Sequence, residues 1–128
     1  MKRLFYFAEI YIFIKMTLED TKSKIIAFSE TIEKYYGCKT EITEGLYSRA
    51  ESFDVNFTTW NLSEFILIRS AYRKNGDRLM MEGKNTYYEI AAGTIVSFEQ
   101  PGQNIFEFIE RYGDTVYRIT KIKFYQKR

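Results

Sequence analysis

The stretch that decides the fold is Phe65-Ile66-Leu67-Ile68-Arg69-Ser70-Ala71-Tyr72-Arg73-Lys74-Asn75-Gly76-Asp77-Arg78-Leu79-Met80-Met81-Glu82. Two β-prone runs, Phe65–Tyr72 and Arg78–Glu82, flank Asn75-Gly76, the dipeptide best suited to the left-handed geometry of a tight hairpin turn. Outward from this hairpin the punctuation continues. Gly83-Lys84-Asn85 and Ala92-Gly93 bracket a strand over Thr86–Ala91, and Thr94–Glu99 follows. Upstream, Ser52–Thr59 and Glu64–Tyr72 read as strands split by Asn61, and Thr115–Tyr125 closes the chain as a long strand. Short runs joined by tight turns predict antiparallel pairing throughout.

Two segments read as helices. Thr17 and Asp20 have the spacing of a helix-start box, and Leu18, Ile25, Phe28, Ile32 and Tyr35 or Tyr36 recur at helical intervals before Gly37. This predicts a helix over 18–36. A second is predicted from Asn104, with Glu107 completing the box and Ile105, Phe106, Phe108 and Ile109 as its apolar side, ending at Gly113. Ile32-Glu33-Lys34-Tyr35-Tyr36-Gly37 and Ile109-Glu110-Arg111-Tyr112-Gly113 echo each other, which suggests two strand–helix–strand units with hairpins between them.

At the amino terminus Lys2 and Arg3 precede the apolar run Leu4–Ile14. Glu9 interrupts that run, no small-residue cleavage site follows, and eleven residues are too few to cross a bilayer as a helix. Apolar side chains on both faces predict a central, covered strand, and the chain is expected to be cytoplasmic. The fold expected is a single α+β domain over residues 1–128. Its largely antiparallel curved sheet is open or rolled into a half barrel, with two helices packed on one face.

Composition removes much familiar chemistry. There is no histidine, so imidazole catalysis and histidine metal sites are excluded, and the single Cys38 rules out a disulfide framework. Cys38 reads as a small buried hydrophobe and Trp60 as a core residue. No phosphate-loop, dinucleotide or nucleophile-elbow pattern occurs, and no cofactor is called for. The net charge of +2 is unremarkable, but its distribution is not. Arg118, Lys121, Lys123, Lys127 and Arg128 follow Thr115 with no acid among them. Arg69, Arg73, Lys74, Arg78 and Lys84 crowd the central hairpins, whereas Glu41, Glu44, Glu51, Asp54 and Glu64 gather upstream.

These clusters support three readings. In the first, a non-enzymatic module holds a phosphate-rich ligand (polyphosphate, nucleotide or RNA) on a basic, tyrosine-rich sheet face. Arg69, Arg118, Lys121 and Lys123 would supply charge, and Tyr117 and Tyr125 stacking. Strand alternation puts Tyr117, Ile119, Lys121, Lys123 and Tyr125 on one face and Arg118 on the other. In the second, a small protein-binding inhibitor acts through the acidic patch of Glu41, Glu44, Glu51, Asp54 and Glu64. The third is metal-dependent triphosphate hydrolysis, with Glu9 and Glu89 as candidate ligands and Arg69 and Lys121 as phosphate clamps.

One ordered series also resembles a known family. Glu9-Ile10-Tyr11-Ile12-Phe13-Ile14-Lys15, a helix ending at glycine, and Phe65-Ile66-Leu67-Ile68-Arg69 come first. Leu79-Met80-Met81-Glu82-Gly83-Lys84, a second helix, and Val116-Tyr117-Arg118-Ile119-Thr120-Lys121-Ile122-Lys123 follow. The order is similar to the first two-thirds of the CYTH, or triphosphate tunnel metalloenzyme, family. There an eight-stranded tunnel holds triphosphate against basic residues, and glutamates bind a divalent metal. The resemblance matches Glu9 to the family's first glutamate, Arg69 to its strand arginine, and Lys121 and Lys123 to its basic pair. Tyr11, Phe13 and Glu82 depart from the signature, and the family's last strands have no counterpart in these residues. The resemblance therefore implies a shortened, non-catalytic relative able to grip a polyphosphate.

Overall fold

The computed structural model describes residues 20–48 and 58–126. Helix α1, described over residues 20–31, tightens into a 3-10 turn at Ile32–Tyr35. Ile25, Phe28, Ile32 and Tyr35, spaced three or four apart, are all buried, and the polar residues between them face outward. Gly37, at φ 84°, stops the helix where an L side chain is disfavoured, and its N–H donates to the Leu67 carbonyl at 2.8 Å. The helix predicted over 18–36 is present over its described part.

Among the described residues eight strands follow: β1 Lys39–Ser48, β2 Thr58–Ile66, β3 Arg69–Arg73, β4 Arg78–Gly83, β5 Thr86–Ala91, β6 Ile95–Gly102, β7 Ile105–Tyr112 and β8 Val116–Tyr125. They form a five-stranded sheet in the order β2-β1-β8-β7-β6 and a three-stranded sheet in the order β3-β4-β5. Every pairing is antiparallel. The chain changes sheet sharply after β2. Leu67 N–H donates to the carbonyl of Cys38, just before β1, at 3.0 Å, and Ile68 N–H donates to that of Glu82 in the second sheet at 2.8 Å. The run Glu64–Tyr72 is therefore two strands, and Asn61 lies inside β2 instead of breaking it. A short 3-10 turn, Ala92–Thr94, carries the chain back from β5 to β6.

The helix packs on the inner face of the five-stranded sheet, where Phe28 meets Phe106 and Phe108 at ring separations of 4.5 and 5.5 Å, and Tyr35 stacks on Phe124 at 4.0 Å. Ile42, Phe65, Leu67, Leu79, Met81, Ile90, Ile95 and Ile122 complete one core drawn from both sheets. Cys38 is buried among them, as its composition suggested. The central hairpin forms, but the left-handed residues are Gly76 (φ 93°) and Asp77 (φ 48°), one place later than Asn75-Gly76.

The α+β class with a largely antiparallel sheet stands, with one α-helix and not two among the described residues. Residues 104–113 form no helix: Ile105–Tyr112 is β7. Phe106, Phe108 and Glu110 are buried, while Ile105, Glu107 and Ile109 point to the other face. Gly113, at φ 67°, belongs to the β7–β8 turn. The suggested strand–helix–strand repeat fails with it, because its second half is a hairpin. Trp60 is not a core residue; 47% of it is exposed. The strand predicted over Leu4–Ile14 and most of Ser52–Thr59 lie outside the described residues. No helix among the described residues is long and apolar enough to cross a membrane.

Candidate functional site

The outer face of the five-stranded sheet can be read row by row from its register. One row runs Ile109, Ile119, Gly45, Trp60. The next runs Glu107, Lys121, Thr43, Leu62, and the one beyond it Ile105, Lys123, Glu41, Glu64. Tyr125, Lys39 and Ile66 close this end. Trp60 lies over Gly45: a Cβ there would stand 2.6–2.9 Å from three atoms of the indole. Glycine thus provides the seat on which the ring rests. Along β2, Trp60, Leu62 (66% exposed) and Ile66 form an exposed apolar strip interrupted by Glu64, and exposed Ile68 follows where the chain changes sheet. Half-buried Ile109 and Ile119 share the sheet face with its Trp60 end.

The predicted alternation of β8 holds. Tyr117, Ile119, Lys121, Lys123 and Tyr125 share the outer face, but carboxylates intervene between the bases. Glu107 stands across from Lys121 and Glu41 across from Lys123, while Lys39 pairs with Glu64 at 3.4 Å. Lys121, Lys123, Glu41, Thr43 and Ile105 line a hollow of about 220 Å³. Tyr125 is engaged already, its hydroxyl donating to Glu41 at 3.0 Å with the Lys39 and Lys123 ammonium groups 4.7 and 4.9 Å from its ring centre. Tyr117 stacks on buried Tyr47 at 5.2 Å.

Arg69 stands elsewhere, on the outer face of the three-stranded sheet, where its Nε donates to Glu82 at 2.5 Å. That hydrogen bond and the Glu82 charge raise its pKa above the ordinary arginine value. With Ser70, Ala71, Met80, Glu82 and Tyr87 it lines a shallow hollow of about 270 Å³. The central hairpins and β8 are not neighbours, so their basic residues form no continuous stripe. Glu89 is bound by Arg78 at 3.0 Å and by the Tyr87 hydroxyl at 2.5 Å. Glu9, Glu51 and Asp54 lie outside the described residues. Glu41 and Glu64 are directly cross-strand on the outer face, whereas Glu44 points to the opposite face. No group of three metal-binding side chains occurs among the described residues.

Arg118 faces inward, into a polar network that the sequence reading missed. Glu110, fully buried, accepts from Arg118 Nε at 2.7 Å, from Arg118 Nη2 and the Ala91 N–H at 3.0 Å each, and from the Tyr112 hydroxyl. Arg118 also lies 3.5 Å from Glu44 and donates to the Glu89 carbonyl at 2.7 Å. Tyr88 completes the cluster, its hydroxyl 2.9 Å from Glu44 and 2.7 Å from Thr120 Oγ1. Burial opposes the charged form of Arg118, but the Glu110 hydrogen bonds and charge outweigh it and raise its pKa. Burial raises that of Tyr88. Each polar group finds a partner within the network, so it braces the two sheets against each other and leaves no aimed, unsatisfied group for a substrate. The chain matches no protein-family model, and no curated protein or solved structure is significantly similar to it.

Proposed function

We propose that this chain is a non-enzymatic protein-binding module whose docking surface is the outer face of the five-stranded sheet along β2. The observation that carries this reading is the exposure of Trp60, Leu62 and Ile66 on one face of β2, with Trp60 seated on Gly45. A large aromatic held in place loses little entropy on binding, and apolar anchors beside alternating charges match the composition of protein interfaces. The alternation of Glu107, Lys121, Lys123 and Glu41 beside the strip suits a partner with a mixed-charge rim. A small antagonist is one instance of such a module. Its contact would be this apolar strip and not an acidic patch, since Glu44 faces away from Glu41 and Glu64.

The test is photo-crosslinking from position 68, with the captured protein identified and its affinity measured on purified material. Trp60→Ala with Ile66→Ser weakens binding at least tenfold, and Arg69→Ala leaves it unchanged. A captured protein whose affinity is indifferent to Trp60 refutes the reading.

One observation favours a second reading. Lys121 and Lys123 are both exposed and share the hollow with Thr43, which is a feature a phosphate-rich ligand uses. On this reading the tunnel-enzyme resemblance would mark a relative that grips polyphosphate without turning it over. Triphosphate binding that weakens with salt and is lost in Lys121→Ala/Lys123→Ala supports it. Magnesium- or manganese-dependent phosphate release, absent from a Glu9→Ala control, would point to the hydrolase instead.

A further inference from the structure

The register of the three-stranded sheet sets its outer face out in rows. Arg69, Glu82 and Tyr87 form the first, Ala71, Met80 and Glu89 the second, and Arg73 and Arg78 stand in the third. Ala71, exposed on β3, is therefore surrounded by longer side chains, with Arg69 and Arg73 two places away along its own strand and Met80 across from it. A short side chain in such company leaves a pit. It is the hollow of about 270 Å³ on this face, and all of its lining comes from β3, β4 and β5.

Ala71 and half-buried Met80 make an apolar floor. Tyr87, 58% exposed, forms one wall, and the hydrogen bond from its hydroxyl to Glu89 fixes the ring in place. Across β4 the Arg69–Glu82 ion pair forms the other. The charge around the pit is one-sided. Residues 69–91 carry five bases, Arg69, Arg73, Lys74, Arg78 and Lys84, against three acids. All three acids are engaged: Glu82 by Arg69, Glu89 by Arg78 and Asp77 by Lys22. Arg73, Lys74 and Lys84 are exposed, and no acid among the described residues pairs with them. Arg73 also stands directly opposite Arg78, a like-charge juxtaposition that is destabilising and that an anion relieves. Its charge is felt at the Tyr87 hydroxyl, where it opposes the upward shift that the Glu89 hydrogen bond imposes, so this guanidinium borders the pit.

We propose that the pit anchors an acidic peptide. One aromatic side chain of the partner enters between Met80 and Tyr87, and the flanking carboxylates meet Arg73 and Lys74 at one end of β4 and Lys84 at the other. At about 270 Å³ the pit is smaller than the roughly 300–1,000 Å³ of small-molecule sites and suits a single anchoring residue. A ring there covers the Met80 thioether and meets the Tyr87 ring, both favourable contacts for an aromatic. A nucleic acid suits the face less well. Its evenly spaced phosphates would pass Glu82 and Glu89 at the rim, whereas a peptide carries its carboxylates only where the bases are. The pit lies on the sheet that the Trp60 surface does not use, so each stands or falls without the other.

The probe is an acetylated and amidated pentapeptide with phenylalanine between two pairs of glutamates. It is titrated into the full chain while the Ala71 and Met80 methyl resonances are followed by NMR. Both methyls shift saturably, and the affinity falls as salt rises. Ala71→Ile fills the pit with a residue that favours strands, so it keeps the fold and weakens binding roughly tenfold or more, the scale of one lost anchor. Arg73→Ala weakens binding and reduces its salt dependence, Trp60→Ala leaves it unchanged, and alanine in place of the peptide's phenylalanine removes the methyl shifts. Methyls that do not move, or an Ala71→Ile variant that binds as tightly as the wild type, overturn the proposal. So does a uridine octamer that binds there more tightly than the peptide. Contacts in the free chain from the Met80 methyl to residues 1–19 or 49–57 overturn it by showing the pit filled from within. Methyl shifts that follow protein concentration without peptide overturn it in favour of a second copy.

Discussion

Replacing Glu110 by alanine tests whether the buried network holds the two sheets together. The carboxylate is inaccessible to solvent and accepts four hydrogen bonds, two from Arg118, one from the Ala91 N–H and one from Tyr112. Removing one partner of a buried ion pair typically costs about 3–5 kcal/mol, because the other charge remains without compensation. Two features hold the cost toward the lower part of that range. Arg118 keeps 20% of its side chain exposed, and Glu44 lies 3.5 Å away as a substitute partner. The orphaned Ala91 N–H works the other way, at about 1–3 kcal/mol for a buried unsatisfied donor. A loss of about 4 kcal/mol corresponds to a fall in Tm of roughly 15 °C for a domain of this size.

Glu110→Gln preserves shape and an acceptor, so it should cost less than Glu110→Ala. The paired change Glu110→Leu/Arg118→Met should be more stable than Glu110→Leu alone, since it removes the stranded guanidinium together with its partner. The assay is urea and thermal unfolding followed by circular dichroism. A Glu110→Ala variant within about 1 kcal/mol of wild type, or a double variant no more stable than Glu110→Leu, would refute the bracing role.

Three further outcomes follow from the same geometry. Tyr88 has its pKa raised by burial, so its neutral form stabilises the fold below the ordinary tyrosine value of about 10 and that contribution is lost as pH rises beyond it. Stability should fall above that pH by up to about 1.4 kcal/mol per pH unit for this one group, and Tyr88→Phe should flatten the slope in alkaline unfolding curves. Gly83→Ala places a Cβ 2.6 Å from Phe65 Cδ2 and 2.9 Å from the Ile66 carbonyl oxygen. The backbone oxygen cannot step aside, so a loss of about 1–3 kcal/mol is expected in the same assay. Gly45→Ala lifts the indole of Trp60, the chain's one tryptophan, and should shift its emission with little loss of stability; an unchanged spectrum would contradict the seat drawn for it.

The strands around the central hairpin were legible because each repeats a local rule. Thr86–Ala91 matches its sequence bounds, and Arg78–Glu82 and Thr115–Tyr125 are within a residue of theirs. The change of sheet at Leu67 and Ile68 was not legible. A strand that leaves one partner for another keeps its β-prone composition through the corner, and only the hydrogen bonds reveal the break. The face of β8 was readable from alternation alone, but its electrostatic character was not. Whether Lys121 and Lys123 form a basic stripe depends on the neighbouring strands, and those place Glu107 and Glu41 beside them. Trp60 escaped for a related reason: a tryptophan between polar residues reads as core until the facing residue is known to be Gly45.

The failed second helix and the missed network have one cause, Glu110. With Phe106, Phe108 and a carboxylate on the inner face, the alternation of β7 ends in a charge, and a pattern reader counts that position as exposed. With Glu110 set aside, the apolar residues of the segment are Ile105, Phe106, Phe108 and Ile109, whose spacing suits a helix as well as a strand. The signal that resolves the ambiguity lies across the turn. Folding the chain back at Gly113-Asp114 sets Tyr112 opposite Val116, Glu110 opposite Arg118, Phe108 opposite Thr120 and Phe106 opposite Ile122. That register faces acid with base and an apolar inner pair with an apolar one. As a helix, the same segment would leave Glu110 and Arg118 without their mutual compensation. A buried charge in a strand is therefore best recognised by its cross-strand partner, and here Arg118, whose bond to Glu110 identifies β7 as a strand, makes a second bond to the Glu89 carbonyl that ties β8 to the edge of β5.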